Sequence, residues 1–401
     1  MRTVWNFRSP GQFLFGRGAV RELGPQLRRR QLPRAFIITD RTLVSVGLVG
    51  PIEQSCRDAG CEVQRFDGGV PEPSLETAAA AFDAARAYAP SVIVGLGGGS
   101  NMDLAKMTAL LHAHGGRPAD YFGFDRVPGP VTPLVCIPTT AGTGSEVSHS
   151  SVLTDTANQM KVSTLSYFLR PQLALVDPEL TYSCPRQVTA DSGIDVLVHA
   201  IEAYTAVDFS DLQASDGEAN AYEGRHPLGD LLAEKAIELV GRYLVRAVER
   251  PDDEEAREQM ALAASLAGLA FSNCGVALVH ALEYPLGGAL HCSHGAGNGL
   301  LLPYVMRFNL PPRTAAFARI AELLGESVAN CDAESAALLA ISAVERLRER
   351  IGIPLRIRDL GGKREQLAEF AAKSFAIKRL MELNPRRASQ ADLLAILEQA
   401  F

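Results

Sequence analysis

The rhythm of apolar and polar positions changes once along this chain. Through about the first 178 residues, short apolar runs alternate with helical stretches. Residues 13–15, 34–40, 62–66, 91–96, 131–138 and 173–178 read as strands, several of them continuous apolar runs of the kind that lie in a parallel sheet covered on both faces. Between them come helical segments: one after Gly18, one over 45–60, an Ala-rich one that Ser74 can N-cap and that reaches Tyr88, and one over 101–112. This alternation predicts an α/β, Rossmann-like domain with a largely parallel sheet. From Val188 onward the strand signals stop. Residues 231–248, 254–271, 314–324, 334–351 and 391–400 carry helical apolar spacing, which predicts an all-helical second domain. The boundary falls near 178–188, so the expected division is 1–183 and 184–401. Residues 208–230, polar and rich in Gly and Asp, read as an excursion between helices.

Three polar tips stand where strands of the first domain end. Gly97-Gly98-Gly99-Ser100, followed by Asn101, lies at a strand-to-helix handover. Glycines there let the backbone approach a phosphate, and the helix N-terminus offers free N–H groups. The run is not a full G-x-G-x-x-G, and a tight structural turn is the other reading. Asp40 ends an earlier strand, where an acidic side chain can accept from a ribose diol and repel a 2′-phosphate, favouring NAD over NADP; it can equally be the first-turn residue of a helix. The stretch from Pro138 through Thr139, Thr140, Thr143 and Ser145 to Glu146 supplies small hydroxyl and glycine residues able to wrap a nucleotide, or to form a plain turn. Ligands bind at the carboxyl ends of parallel strands, so the three tips support one another.

In the second half, Asp195 and His199 are spaced i, i+4, on one face of a helix whose intervening residues are apolar. A buried Asp and His need partners. His280 and His294, separated by a Gly/Pro break, supply two more imidazoles. Singly, each reads as an ion pair, a core histidine or an incidental loop residue. Together, one carboxylate and three imidazoles form a first shell for a divalent ion with an open position. With neutral imidazoles such a site keeps a charge of about +1, which favours an anionic oxygen ligand.

Bulk properties narrow the class. A net charge of −7 argues against a nucleic-acid binder, and no apolar stretch is long enough for a membrane span. The N-terminus has no secretory h-region, and seven scattered cysteines without a C-x-x-C pair read as reduced thiols, so the expected location is the cytoplasm. Cys292, two residues before His294, is a soft alternative ligand, although Asp195 already supplies an oxygen.

Gly-Gly-Gly-Ser at 97–100, Pro-Thr-Thr-Ala-Gly-Thr-Gly-Ser-Glu at 138–146, Gly-Ile-Asp-Val-Leu-Val-His-Ala-Ile-Glu at 193–202, and His280…Pro-Leu-Gly…His294-Gly together resemble the iron-containing (group III) alcohol dehydrogenases. The resemblance implies a dinucleotide-binding α/β domain, a helical domain and a cleft between them. It implies metal ligation by Asp195, His199, His280 and His294, of Fe(II) or alternatively Zn(II), and NAD(P) contacts from Asp40, the 97–100 loop, Thr139, Thr140 and Lys161. It also implies reversible hydride transfer between NAD and a primary alcohol or small hydroxy acid, in a homodimer or higher homo-oligomer. Two positions depart from the family pattern. Tyr284 stands where a second histidine is common, which leaves Tyr284 and His291 as candidates for proton exchange. Glu72 stands where an asparagine is frequent. The 222–230 and 243–253 stretches look like the hydroxyacid–oxoacid transhydrogenase branch, and a maleylacetate reductase is a further alternative, although that group generally works without a metal. Dehydroquinate synthase shares the layout but not the 193–202 motif. Arg170, Arg225 and Arg307 are the candidates to hold a substrate carboxylate.

Overall fold

The computed structural model describes residues 2–157, 160–212 and 221–401. The chain divides into two compact units, Arg8–Cys184, and Pro185–Phe401 joined by Met1–Phe7. The expected excursion at 208–230 falls partly on 213–220, outside the described residues, and its last four positions already belong to a helix.

The first unit contains strands β1 (Phe13–Phe15), β2 (Arg34–Ile38), β3 (Glu62–Phe66), β4 (Val92–Gly97), β5 (Gly123–Phe124), β6 (Leu134–Pro138), β7 (Ser150–Asp155), β8 (Met160–Leu165) and β9 (Leu173–Val176). Its helices are α1 (Leu23–Arg29), α2 (Arg41–Ser45), α3 (Val49–Asp58), α4 (Leu75–Tyr88) and α5 (Gly99–His114). Six strands form a wholly parallel sheet in the order β1-β9-β6-β4-β2-β3. Strands β4, β6 and β9 are buried at every residue, which is why they read as unbroken apolar runs. The sheet divides the core: Phe36 and Ile38 of β2 join one apolar cluster, Ala35 and Ile37 the other. Gly95 lets α5 lie directly on β4, since a Cβ there would meet that of Ala105 at 2.8 Å. Ser74 caps α4 by accepting from the Thr77 N–H, as its position predicts.

Two local features differ from the sequence expectation. The helix expected over 45–60 is α3, Val49–Asp58, and a separate short helix that was not expected, α2, precedes it. The antiparallel pair β7–β8, with β5 on its edge, has no counterpart in the apolar pattern. These strands carry Ser, Thr, Asp and Lys and are only half covered, so burial cannot imprint an apolar rhythm on them.

The second unit is built from α6 (Arg186–Thr205), α7 (Pro227–Glu249), α8 (Glu254–Cys274), α9 (Leu278–Leu290), α10 (His294–Leu323), α11 (Ala333–Ile351), α12 (Leu367–Phe375), α13 (Lys378–Leu383) and α14 (Gln390–Ala400). Helix α6 is buried along nearly its whole length and packs against α7, α8, α9 and α10. Helix α10 is much longer than the expected 314–324 segment, because Gly295, Gly297, Gly299 and Pro303 hide its first half from a propensity reading. It kinks at Arg313, directly after Pro311-Pro312. The kink is used: Arg313 donates to the carbonyls of Thr205 and Ala206 and pairs with Asp208 at 2.9 Å, so it caps the C-terminus of α6. No single helix among the described residues is long and apolar enough to cross a membrane.

The N-terminal residues strap onto this helical unit. The Trp5 ring stacks on His226 at 4.2 Å, Phe7 meets the same imidazole edge-on, and Arg2 and Asn6 both donate to Glu223. His226 Nδ1 accepts from the Gly229 N–H and caps α7. Burial holds the His226 imidazole below its ordinary value, against a smaller opposing pull from Glu223. A depressed pKa in the docked state means that His226 binds a proton more readily once the strap has left it. Docking is therefore fully supported above the ordinary histidine value of about 6.5 and weakens as pH falls below it. Trp5 is the sole tryptophan. Its emission should shift to the red on acidification from about pH 6.5 to about pH 5, with loss of roughly 1 kcal/mol of cap stabilisation. His226→Asn, which keeps a cap acceptor but does not titrate, should abolish the transition.

Candidate functional site

In the first unit, the strand order makes neighbours of the three polar tips. Strands β6, β4 and β2 are adjacent, and the chain reverses its direction of growth across the sheet between β2 and β4. Such a switch point leaves a crevice beyond the carboxyl ends of the strands. Gly97 takes φ 143, open to glycine, and a Cβ there would collide with the Asn101 amide at 2.2 Å. Gly98, directly after β4, stands opposite Thr140 and Gly99 opposite Thr143, where a Cβ would meet the threonine side chain at 2.8 Å, so the two loops lie close together. The N-terminus of α5 has no side-chain cap, so its first N–H groups are left for another acceptor.

Several residues expected to touch a cofactor also brace the loops. Asp40 caps α2 through the Leu43 N–H, and its second oxygen accepts from Asn101 Nδ2 at 2.7 Å. Asn101 also donates to the Leu96 carbonyl, which ties β2 to β4. Lys161 pairs with Glu72 at 2.9 Å. Glu72 sits at φ 51, a left-handed position that asparagine tolerates better, and the ion pair gives the glutamate a reason to be there. Ser145 lies in a buried chain that the sequence reading missed: Lys106 Nζ donates to Ser145 Oγ, Ser148 Oγ and the Ser150 carbonyl, while Ser145 Oγ donates to Asp103 at 2.6 Å. Lys106 has no exposed surface. Lys106 and Asp103, at i and i+3 after the glycine run, were the available signal.

In the second unit, Asp195, His280 and His294 each offer one ligand atom, all within 4.8 Å of one another. His199 stands beside them. Its ring stacks between Phe271 at 4.2 Å and His280 at 4.9 Å, and its Nδ1 lies 3.8 Å from an Asp195 oxygen with no hydrogen-bond partner. Glycines allow this convergence. A Cβ on Gly295 would lie 1.9 Å from the Asp191 carbonyl, and one on Gly299 2.8 Å from Ile194, so α10 can lie directly on α6 and bring His294 to Asp195.

Two carboxylates that were not singled out face the imidazoles from behind. Glu202, three residues after His199 on α6, accepts from the Val279 N–H and holds His280 Nδ1 at 2.6 Å. Glu283 holds His294 Nδ1 at 2.5 Å. An ionised carboxylate only accepts, so both Nδ1 atoms carry the proton and both Nε2 lone pairs face Asp195. Asn298 Nδ2 sits where these acceptors meet, 2.8 Å from Asp195 Oδ1, 3.2 Å from His294 Nε2 and 3.3 Å from His280 Nε2. Burial pushes the His199 imidazole down to about 3, with further repulsion from His280 and His294 outweighing part of the Asp195 pull. Burial alone would raise the Asp195 carboxyl, but the three imidazoles and Asn298 hold it below its ordinary range. A carboxylate, neutral imidazoles and an orphaned buried ring nitrogen suit a divalent cation.

The remaining expectations are placed less centrally. The Tyr284 ring is 6.2 Å from that of His294, whereas His291 is an exposed left-handed cap at the end of α9. Cys292 is not in the ligand group, and none of the seven cysteines is in a disulfide. Arg225 pairs with Asp230 and Asp208, Arg307 pairs with Glu345, and Arg170 is buried with Nη1 on the Val147 carbonyl.

The chain has known relatives along its whole length. Residues 10–178 match the family model described as iron-containing alcohol dehydrogenase, and residues 189–401 match that of the Fe-containing alcohol dehydrogenase family, C-terminal. The chain is 38% identical over 396 residues to an NAD-dependent methanol dehydrogenase of Bacillus methanolicus, covering 99% of this chain and all of that one. It is 39% identical over 389 residues to long-chain-alcohol dehydrogenase 1 of Geobacillus thermodenitrificans, covering 96% and 94%. A crystal structure of a 1,3-propanediol oxidoreductase superposes with a TM-score of 0.93 at 35% identity, covering 99% of this chain and all of that one.

The Lys106 chain yields a direct test. Lys106→Met leaves Asp103 and two serine hydroxyls without their cation, so urea unfolding should show a loss of about 3–5 kcal/mol. Ser145→Ala should cost about 1–3 kcal/mol by the same measurement. An unchanged unfolding midpoint in both variants would refute the bracing role.

Proposed function

Because the chain belongs to the iron-containing alcohol dehydrogenase family, we propose that it interconverts a small uncharged primary alcohol and its aldehyde with NAD, at a divalent ion held by Asp195, His199, His280 and His294. The observation that carries this reading is the convergence of the Asp195 carboxylate with two imidazoles whose Nε2 lone pairs are aimed by Glu202 and Glu283. When bound, the ion supplies a Lewis acid for the alcohol oxygen and NAD supplies the hydride acceptor.

The chain's own residues do the rest. Glu202 and Glu283 keep a proton on the far nitrogen of each imidazole, so both rings stay in one tautomer. Phe271 covers one face of His199 and keeps water from it. The uncapped N-terminus of α5 and the Gly98/Thr140 and Gly99/Thr143 contacts offer N–H and hydroxyl donors to a dinucleotide, and Asp40 stands at the end of β2 for its ribose. Tyr284 is the nearer candidate for proton exchange. The free thiols fit a cytoplasmic enzyme. Iron and zinc both accept this donor set, and Fe(II) is the family expectation.

The preference for an uncharged alcohol rests on the three guanidiniums that could have anchored a substrate carboxylate. Arg225 and Arg307 each already face a carboxylate, and Arg170 is committed to a buried carbonyl. The relatives' names run from methanol through 1,3-propanediol to long-chain alcohols and include a sulfoacetaldehyde reductase, so chain length stays open and the preference for an uncharged substrate rests on the guanidiniums alone.

Anaerobically purified protein should carry one divalent ion per chain and reduce NAD with simple primary alcohols or 1,3-propanediol. Turnover of 4-hydroxybutyrate should be at least about tenfold slower. Asp195→Ala should lose the ion and lower kcat/KM by about 10²-fold or more. Full metal content and full activity in Asp195→Ala would refute the site, and faster turnover of the hydroxy acid would refute the substrate preference.

A further inference from the structure

The imidazoles of His280 and His294 are not equally secure. His280 lies within α9, and its side chain is 3% exposed. His294 is the first residue of α10, follows the link in which His291 turns left-handed, and its side chain keeps 31% exposure. Behind it stands Glu283, with no exposed side-chain surface. A buried carboxylate is costly unless a donor meets it, and here the His294 Nδ1–H does so at 2.5 Å.

The place occupied by Glu283 is shaped by missing side chains. A Cβ on Gly287, one turn further along α9, would lie 2.2 Å from Glu283 Oε1. A Cβ on Gly297, in the first turn of α10, would lie 2.9 Å from Glu283 Cγ. Two glycines on two helices therefore keep open a slot in which the carboxylate can reach back to His294.

We propose that Glu283 is a positioning residue that selects the tautomer of His294 and sets how tightly the centre holds its divalent ion. The proposal rests on the metal reading above. The carboxylate accepts the Nδ1 proton, leaves the Nε2 lone pair facing Asp195 and His280, and makes that nitrogen a better donor. Glu202 does the same for His280 through a backbone-anchored contact, so loss of Glu283 frees only the less secured ring.

The test measures zinc or cobalt affinity of the full chain by competition with a chelating dye, beside thermal unfolding of the metal-free proteins and ¹⁵N shifts of labelled histidines. Glu283→Ala should weaken binding about 10- to 100-fold. Glu283→Gln, which keeps an acceptor without the charge, should lose less and unfold in the metal-free state like wild type. Gly287→Ala should reproduce the weakening with the carboxylate still present, because it crowds Oε1. In each weakened variant one histidine should change its tautomer signature. Wild-type affinity in Glu283→Ala and Glu283→Gln overturns the proposal and leaves the metal reading standing, and so does a loss of metal-free stability with affinity unchanged. A wild-type chain that takes up no divalent ion overturns the metal reading and this proposal together.

Discussion

A carboxylate taken out of water must be given donors, and Asp195 is the carboxylate around which the helical unit is arranged. Asp195 lies on a helix with almost no solvent-facing side, so its partners have to come from neighbouring helices. His280 comes from α9, and His294 and Asn298 come from α10. This works only because α10 begins with glycines at 295 and 299 where it crosses α6. The kink after Pro311-Pro312 places Arg313 on the Thr205 and Ala206 carbonyls, closing the end of the helix that carries Asp195 and His199. Site and packing are one problem here, solved by the same few residues.

The two carboxylates behind the imidazoles change the electrostatics of that centre. One aspartate with three neutral imidazoles would leave a divalent ion with an excess positive charge. Glu202 and Glu283 add negative charge one imidazole away, in surroundings that water screens poorly. A divalent ion proposed for this centre would be held more firmly, and would polarise its other ligands less, than with the inner donors alone.

The α/β unit solves a different problem with similar economy. A phosphate-binding turn must be open enough for a ligand and rigid enough to hold its shape. Glycines provide the openness at 97, 98 and 99. Rigidity comes from beneath, through the Asp40–Asn101 contact and the Lys106–Ser145–Asp103 chain. Hydroxyls that look like ligand contacts in a Thr/Ser-rich loop therefore divide into two groups. Thr140 and Thr143 face the glycine turn, and Ser145 braces the loop from inside.

Much was legible before any coordinates, because burial imposes periodicity. Fully covered strands such as β4 and β6 are unbroken apolar runs, and the strand-to-helix handover at Gly97–Ser100 carries its own glycine signature. The half-covered β7–β8 pair and the glycine- and proline-rich first half of α10 were not legible, since neither carries an apolar rhythm or a strong propensity. The spacing of Asp195 and His199 placed two donors on one helix face, and the family motif added His280 and His294. No local pattern marks Glu202, Glu283 or Asn298: His294 lies 11 residues along the chain from Glu283, and Asp195 lies 103 from Asn298. The sequence by itself thus determined the two-part architecture and the donor types. Only the tertiary structure decided which nitrogen of each imidazole faces the centre and which polar side chains brace rather than bind, because hydrogen-bond partnership between distant segments is a property of three-dimensional approach.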